Sequence, residues 1–436
     1  MKFKTIKLGD IANVKNGYAY KSKDFIDNGV PIIKIKNISP PLVNLEGCNY
    51  VSEELYIQTL DYELVYGDIL ISMTGSGPNQ MSSAVGKVGR YRFNKKALQN
   101  QRVGKIEIID EKKYDKDFLY YYLSKKSMLD YFVNNSTGSA NQANISKKII
   151  ENTEVPNFSI EKQNKIKKIL DSLDKKIEVN NKIIANLEEQ AQAIFKSWFV
   201  DFEPYQDGNF VESELGMIPE GWEVKKLKET YLRVNGYSYT SKDILEESEI
   251  NMLTIKNFNR NGGAANDVIK PIKINDKIKD RHFLNKNDLL VACTDLTQKA
   301  EIIGRVILYN PNEDFKKEIF SMDLIKLVPK NEYDILYLYF YLKNPIFKSF
   351  AESSSSGTTV LHLQKKSVDN FNIVYPKESE IFRVNKILKP IINKQRNLAI
   401  QNKKLAEIRN ALLPKLMSGE IDVSNIKIKG EEVKNE

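Results

Sequence analysis

The sequence contains one unit twice, and this duplication constrains the fold more than any other feature. The segment Asn16–Asp24 returns 219 residues later as Asn235–Asp243, with seven of nine positions identical. Self-similarity of this kind identifies a repeat architecture. The further matches keep the same order: Ile35-Lys36-Asn37 with Ile255-Lys256-Asn257, Asp68–Ile71 with Asp288–Val291, Val88-Gly89-Arg90 with Ile303-Gly304-Arg305, Leu119–Leu123 with Leu338–Leu342, and Ser136–Ser139 with Ser355–Thr358.

Each copy is predicted to be mostly β. Short β-branched runs bounded by Gly, Pro, Asn and Ser are typical of strands, and in the first half they cover residues 30–38, 68–73, 85–93 and 103–109. Two aromatic runs, 117–133 and 333–350, instead place Leu, Tyr and Phe at helical spacing. Their tyrosines could stack on bases, but packing on the sheet as core helices is the favoured interpretation.

A long amphipathic helix is predicted after each copy, because apolar residues recur there in steps of four and three, the pattern of a coiled-coil seam. Pro390 is expected to kink the second helix, and Pro414 with Gly419 is expected to end it. The first seam is Ile166, Leu170, Leu173, Ile177, Asn180, Ile184, Leu187, Ala191, Ile194 and Trp198. The second seam is Val384, Ile387, Ile391, Lys394, Leu398, Gln401, Leu405, Ile408 and Leu412.

Each seam needs a partner, and the other helix is the simplest one. A globular domain before each helix favours an antiparallel pair that holds the two domains apart, with the polar residues Asn180, Lys394 and Gln401 fixing the register. About 38 residues at ~1.5 Å each span ~57 Å, or roughly 17 base pairs of DNA. An ordinary dimerisation coiled coil is the alternative, but such a protein needs no second copy of its domain.

The net charge of +9 and the pI of about 9.0 suit a polyanionic partner, although composition alone gives many lysine-rich proteins such a charge. No stretch approaches the ~20 apolar residues of a membrane span, and the first ten residues have no export signal, so a cytoplasmic location is expected. Cys48, Cys293, His282 and His362 cannot form a closed zinc site of the usual spacing, so neither a metal nor a disulfide is expected.

Motifs for chemistry on DNA are not convincing. Ser39-Pro40-Pro41-Leu42 lacks the polar and aromatic residues of an aminomethyltransferase motif, and Gly86-Lys87 lacks the spacing of a phosphate-binding loop. Glu111-Lys112-Lys113 has a spacing found in nucleases, but Asp110 beside it is not the separate upstream acid that such a site uses. The sequence therefore favours binding over catalysis.

The junction segments complete a resemblance that covers nearly the whole chain. The segments Phe195–Pro204, Gly216–Trp222 and Leu412–Ile421 resemble the central junction, the start of the second recognition domain and the end of the second spacer helix of type I restriction-modification specificity subunits. The fold class expected is α+β, with two mostly-β target-recognition domains, two long helices forming an antiparallel coiled coil, and an internal two-fold repeat. The expected domains are 1–157 (recognition domain 1), 158–200 (spacer helix 1), 201–220 (connector), 221–376 (recognition domain 2), 377–417 (spacer helix 2) and 418–436 (a C-terminal tail, expected to be disordered from Lys427 to Glu436).

The resemblance implies a non-catalytic subunit of a bacterial or archaeal restriction-modification complex. Its two recognition domains would each read one part of an asymmetric double-stranded DNA target, while the helices set the gap and dock two modification (adenine methyltransferase) subunits. Restriction subunits would add the motor and the nuclease. S-adenosylmethionine, ATP and magnesium would be used by the partner chains, and no cofactor by this one.

Base-reading residues are expected where the two halves differ, because identical residues such as Asn16-Gly17-Tyr18 and Asn235-Gly236-Tyr237 cannot explain different readings. The useful side chains are Arg or Lys for guanine and Asn or Gln for adenine. The first-half candidates are Asn79, Gln80, Gln99, Asn100, Gln101, Arg102, Asn141, Gln142, Asn144 and Lys147. The second-half candidates are Arg260, Asn261, Thr297, Gln298, Lys299, His362, Gln364 and Lys365, with Thr294 beside them.

Two other functions remain open at this point. The first is a coiled-coil scaffold that joins proteins without touching nucleic acid. The second is a self-contained endonuclease-methyltransferase, against which the chain length and the missing motifs argue. Sequence-specific adenine methylation on co-expression with modification subunits would separate the specificity subunit from the scaffold.

Overall fold

The computed structural model describes residues 4–77, 85–139, 142–260, 262–265 and 268–426. The chain divides into two compact units. The first unit combines residues 1–179 with residues 401–436, and the second unit is residues 180–400. Within the described residues, the helices all fall short of the length and apolarity needed to cross a membrane.

The first unit is mostly β with four short helices, as the β-branched runs predicted. Its helices are α1 (Glu53–Gln58), α2 (Lys116–Leu123), α3 (Lys126–Asn134) and α4 (Lys147–Glu151). Its strands are β1 (Thr5–Lys7), β2 (Ala12–Asn16), β3 (Val30–Ile33), β4 (Ile38–Ser39), β5 (Leu42–Val43), β6 (Asn49–Val51), β7 (Ile69–Ser72), β8 (Thr74–Gly75), β9 (Val88–Arg90), β10 (Leu98–Gln99), β11 (Val103–Ile108), β12 (Thr137–Ser139), β13 (Gln142–Asn144) and β14 (Glu154–Pro156).

The second unit repeats this design. The long helix α5 (Ile160–Phe199) leads into it, and its shorter helices are α6 (Asp334–Leu342), α7 (Pro345–Ser353) and α8 (Lys365–Asp369) before the long helix α9 (Glu378–Met417). Its strands are β15 (Phe210–Ser213), β16 (Gly216–Pro219), β17 (Glu223–Lys226), β18 (Tyr231–Asn235), β19 (Ile250–Leu253), β20 (Leu289–Ala292), β21 (Thr294–Asp295), β22 (Val306–Leu308), β23 (Lys317–Phe320), β24 (Leu324–Pro329), β25 (Ser355–Ser356), β26 (Leu361–Leu363) and β27 (Asn372–Tyr375).

The sheet topology confirms the repeat. The main sheet of the first unit has the order β2-β11-β7-β9-β5-β4, and that of the second unit has the corresponding order β18-β24-β20-β22. Each unit also has a small three-stranded sheet, β12-β13-β8 in the first and β25-β26-β21 in the second. The match of Gly304 with Gly89 is wrong. Gly86 and Gly304 both have positive φ, and their backbone amides donate to the last residues of the equivalent strands β7 and β20, so Gly304 corresponds to Gly86.

The aromatic runs form core helices, as predicted, and each run is broken into two. In α2, Phe118 to Leu123 are buried, and the Asp115 side chain accepts from the Phe118 amide at 2.9 Å to cap the helix. In α6, Tyr337 and Leu338 are fully buried. These rings therefore pack on the sheet and are not a base-stacking platform.

The two long helices pair within each unit. In the first unit, Arg409 of α9 donates to Asp174 of α5 at 2.7 Å, and Lys165 donates to the Ser424 carbonyl beyond the end of α9, so the two chain directions are opposite. In the second unit, Gln395 of α9 donates to the Ile184 carbonyl and to Glu188 of α5, both at 3.2 Å. The predicted antiparallel coiled coil is confirmed.

The α5 seam faces inward as predicted, but the α9 seam is only partly right. Ile387 and Ile408 are 40% and 48% exposed, and Lys394 and Gln401 are also exposed. The ion pair with Asp174 turns Arg409 inward, and since consecutive helical residues lie about 100° apart, Ile408 faces out. In the second unit Leu388 and Ile392 are buried in place of Ile387.

The prolines of α9 do not interrupt the helix. Pro390 lies inside α9, and the kink expected there stays a prediction. The expectation that Pro414 ends the helix is wrong, because α9 continues to Met417 and the Pro414 carbonyl accepts from the Ser418 amide at 2.9 Å. Gly419, with φ +69°, follows the last turn as predicted.

The hydrophobic core of the first unit uses both of its chain segments. Ile166 and Leu170 of α5 are fully buried in the same cluster as the sheet residues of that unit. The segment after residue 400 adds its own side chains to this cluster, namely Leu413, Leu416, Met417 and Val423. The first unit is therefore completed by residues that follow the whole of the second.

The shared Asn-Gly-Tyr segment has a packing explanation. A Cβ added to Gly17 would lie 2.4 Å from the carbonyl oxygens of Gln99 and Asn100, and one added to Gly236 would lie 2.0 Å from that of Ser321. We expect Gly17→Ala to destabilise the first unit by ~1–3 kcal/mol, because backbone must move to relieve the overlap. Chemical denaturation would measure this loss, and Asn13→Ala on the exposed side of β2 is the matched control; equal stability of the two variants would contradict the packing role.

Candidate nucleic-acid interface

The second unit brings together several predicted side chains on its small sheet. Pairing of β21 with β26 aligns Thr294 with His362, and the two side chains approach to 3.5 Å. Gln364 and Lys365 follow directly after β26 and begin α8. These residues line an open groove of about 560 Å³, which we call the second-unit groove; it is lined by Arg233, Asn235, Cys293, Thr294, Met322, Asp323, His362, Leu363, Gln364, Lys365 and Lys366.

The second-unit groove carries more positive than negative charge, with Arg233, Lys365 and Lys366 against Asp323. Arg233, on β18, contacts Asp369 at 3.3 Å and keeps about a fifth of its side chain exposed. The Lys365 ammonium donates to the Met322 carbonyl at 2.7 Å, while Gln364 and Lys366 are exposed. An open groove with arginine, lysine and amide side chains can contact both phosphates and base edges.

The loop after β21 is organised by a buried carboxylate. Asp295 accepts from the amides of Ile302 and Thr297 at 2.6 and 2.9 Å. Burial would raise the pKa of Asp295, but these backbone hydrogen bonds hold the pKa below its ordinary value. Gln298 is exposed and donates to the carbonyls of Gly357 and Thr358 at 3.3 and 3.0 Å, and Lys299 is exposed beside it. The loop is thus held against the small sheet.

The equivalent sheet of the first unit carries the other set of candidates. Pairing of β13 with β8 aligns Asn144 with Thr74. Gln142 is exposed and Asn144 is half-buried. Lys147 begins α4, is exposed, and contacts Glu151 at 3.3 Å.

The segment from Gln99 to Arg102 divides into a buried and an exposed half. Gln99 is fully buried, and its amide donates to the carbonyls of Lys15 and Val103, both at 2.7 Å; the prediction that it reads bases is therefore wrong. Asn100 is 9% exposed. Gln101 and Arg102 are both exposed, next to the start of β8.

The remaining candidates lie elsewhere or outside the described residues. Arg260 is exposed but contacts Glu301 at 3.3 Å, and it is not a lining residue of the second-unit groove. Asn79, Gln80, Asn141 and Asn261 lie outside the described residues.

Sequence reasoning missed Arg233, Met322, Asp323 and Lys366. Arg233 lies two residues before the repeated Asn235-Gly236-Tyr237 segment, and its difference from Val14 was the signal available. The side chains of Met322 and Asp323 lack the hydrogen-bond donors that define the arginine, lysine and amide candidates. An apolar or acidic side chain can also contact a base edge.

Backbone hydrogen bonds align these positions between the two units. The backbone amide of Gln101 donates to the Tyr18 carbonyl at 2.9 Å, and the backbone amide of Met322 donates to the Tyr237 carbonyl at 2.8 Å. The equivalent pairs that differ are Val14 and Arg233, Gln101 and Met322, Arg102 and Asp323, Asn144 and His362, and Ser146 and Gln364. The pairs that are identical are Asn16 and Asn235, Thr74 and Thr294, and Lys147 and Lys365.

The sequence and the fold are similar to those of known proteins. The family model described as "Type I restriction modification DNA specificity domain" matches residues 1–189 and 219–410. The chain is 28% identical over 314 residues to the type I restriction enzyme MjaIX specificity subunit of Methanocaldococcus jannaschii, covering 71% of this chain and 70% of that protein. It is 24% identical over 399 residues to the HindI specificity subunit of Haemophilus influenzae, covering 76% and 84%.

A solved structure supports the fold. The type I restriction-modification S subunit from M. genitalium aligns with a TM-score of 0.54 at 16% identity, over 96% of each chain. At this identity the likeness concerns the fold alone. It extends over both units and both long helices.

Proposed function

This chain belongs to the family of type I restriction-modification DNA specificity subunits, and we propose that it reads a two-part, asymmetric double-stranded DNA target, one part with each unit. As a member it is a DNA-recognition subunit and is itself non-catalytic. This membership decides against the scaffold without DNA binding and against the self-contained enzyme.

The observation that carries the proposal is the pattern of differences at equivalent positions. Both units place side chains on the same backbone frame beside a small three-stranded sheet. At several equivalent positions the side chains differ in chemistry, as with Asn144 and His362. Two copies of one fold with different groups at one place are suited to reading two different sequences.

We further propose the partners and the setting of the complex. Specificity subunits of type I systems assemble with methyltransferase and restriction subunits; here two modification subunits and the restriction subunits would join this chain in the cytoplasm, where the DNA is. S-adenosylmethionine, ATP and magnesium would be bound by those partners.

Co-expression with the cognate modification subunits, followed by methylome sequencing, tests the proposal. We expect adenine methylation in one two-part motif with a fixed gap, present only when this chain is present. A continuous motif, or methylation that does not depend on this chain, would contradict two-part reading. Gln298→Ala and Gln101→Ala should each alter one half of the motif only.

The lysines at equivalent positions should contact phosphates, since identical residues cannot give different readings. We expect Lys147→Gln to weaken DNA binding about equally across sequences and to lower the slope of log K against log salt by about 1. Binding isotherms at several salt concentrations would measure this. Lys148→Gln is the matched control, because it removes the same charge from the next exposed residue of α4. A changed motif in the Lys147 variant would mean that this lysine reads a base.

We propose that the length of the paired helices sets the gap in the target. Removing residues 175–181 from α5 together with residues 402–408 from α9 takes one heptad from each helix and keeps the seam in phase. The helices shorten by ~10.5 Å, so the permitted gap should shrink by about three base pairs. Methylome sequencing reads the gap directly. A folded, active variant that keeps the original gap would contradict this role of the helices. Removing the heptad from α5 alone should instead impair folding.

A further inference from the structure

The strongest difference between the units lies at two consecutive residues. Gln101 and Arg102 of the first unit are exposed, as is Met322 of the second, whose exposure is 46%. Asp323 is half-buried and lines the second-unit groove. The two pairs share no chemical property, although both follow the same turn beside Tyr18 and Tyr237.

The backbone holds both pairs in the same way. The Arg102 carbonyl accepts from the Met73 amide at 2.9 Å, and the Asp323 carbonyl accepts from the Cys293 amide at 2.8 Å. Each pair therefore stands next to the first residue of the small sheet, Thr74 or Thr294. Any difference in what the pairs contact must come from the side chains.

These side chains are available for a partner. Among the described residues, the side chains of Gln101 and Arg102 form no hydrogen bond or ion pair, whereas Asp323 accepts only a long hydrogen bond of 3.4 Å from the Ser321 hydroxyl. Exposed groups that the fold does not use can bind without breaking an existing contact. Their chemistry then decides which bases they fit.

The two pairs fit opposite classes of base. In the major groove, glutamine pairs with adenine and arginine with guanine, so Gln101 and Arg102 suit purines. An apolar side chain contacts the thymine methyl group, and a carboxylate accepts from the cytosine amino group, so Met322 and Asp323 suit pyrimidines. A carboxylate at this place also repels phosphate, which disfavours a purely backbone role for Asp323.

We propose that this dipeptide is a specificity-determining position: residues 101–102 select purines in the half-site of the first unit, and residues 322–323 select pyrimidines at the equivalent place in the half-site of the second. The inference rests on the proposed function, since it assigns bases to the two parts of the target. Purine and pyrimidine here denote the base of each pair that the dipeptide contacts.

Reciprocal exchange tests it in the complex with the modification subunits. The variants are Gln101→Met with Arg102→Asp, and Met322→Gln with Asp323→Arg, each used to methylate a plasmid library randomised in both half-sites. We expect each exchange to convert purine to pyrimidine preference, or the reverse, at one or two positions of one half-site, with about ten- to hundred-fold loss on the original sequence. The other half-site and the gap should stay unchanged.

The outcomes separate the inference from the function on which it rests. If the wild-type complex yields no two-part motif, the proposed function fails and this assignment falls with it. If the wild-type motif appears and an exchanged variant of normal thermal stability keeps that motif, the assignment alone is overturned. Loss of methylation on every library member by a stably folded variant also overturns it, because a changed reader must accept some sequence. Lys126→Gln, an exposed change on α3, should leave the motif intact.

Discussion

Replacing Arg90 with methionine should destabilise the first unit by ~3–5 kcal/mol, the cost of removing one partner from a buried ionic network. Arg90, at the end of β9, is 3% exposed, and its guanidinium contacts Asp117 at 3.0 Å, Asp171 at 3.1 Å and Asp174 at 3.0 Å. It also lies over the ring of Tyr120 at 4.2 Å. Methionine fills similar space but leaves these carboxylates without their main counter-charge.

The ionic network explains why the loss of Arg90 should weaken the packing of the long helices as well as the sheet. Asp171 and Asp174 belong to α5, and Asp174 also accepts from Arg409 of α9. The Tyr121 hydroxyl closes the network with contacts to both aspartates at 2.8 and 2.7 Å. Arg90 therefore joins the main sheet of the first unit to both long helices, and its loss should lower methylation of the whole target.

Chemical denaturation with Arg92→Met as the control measures the effect. Arg92 is the neighbouring arginine, but it is 19% exposed and contacts Asp117 at 3.2 Å, so its loss should cost about 1 kcal/mol or less. Adding Asp171→Asn and Asp174→Asn to Arg90→Met should restore part of the stability, because the uncompensated charges are removed. Equal stability of the two single arginine variants would show that the network does not hold the unit.

Phe195→Ala should destabilise the second unit by ~3–5 kcal/mol, as expected for truncation of a buried phenylalanine. Phe195, on α5, is 4% exposed, and its ring centroid lies 5.0 Å from that of Phe199, 5.6 Å from that of Tyr337 and 5.8 Å from that of Phe340. The truncation removes ring contacts on several sides and leaves a cavity between α5 and α6. In the second unit, aromatic packing therefore anchors α5 against α6.

Phe382→Ala is the control for this variant. Phe382 lies on α9 in the same unit, but it is 48% exposed and packs mainly on Tyr333, at 4.8 Å between ring centroids. Its truncation should cost far less than that of Phe195, about 1 kcal/mol. Urea denaturation followed by circular dichroism would rank the two variants. A Phe195 variant as stable as the Phe382 variant would refute the anchoring role.

The repeat and the long helices could be predicted because they depend on local patterns. A match of seven residues in nine can be seen without tertiary information. Apolar residues spaced alternately four and three apart likewise define the seam along α5. The pattern failed on α9, where isoleucine at 408 suggested a buried position but Arg409 faces Asp174. An ion pair between residues 235 apart leaves no signal in either local segment.

The candidate interface was predictable as a region but not residue by residue. The loops beside the small sheets were identified because they combine polar side chains with differences between the halves. Gln99 has the composition of a base reader, yet two carbonyls satisfy its buried amide. Whether a glutamine in a strand faces the core or the groove depends on register, and a shift of one residue reverses the face.

The division of the first unit into two chain segments has a consequence for how the protein is made. Leu416, Met417 and Val423 complete its core, but the ribosome delivers them only after all of residues 180–400. Domains generally fold as they emerge, with the N-terminal one first. Here we expect the reverse order: the first unit, whose synthesis begins first, completes its folding last. Part of its hydrophobic core stays uncovered until the end of α9 has been synthesised. Translation of this chain therefore passes through a stage in which the second unit is complete and the first is not.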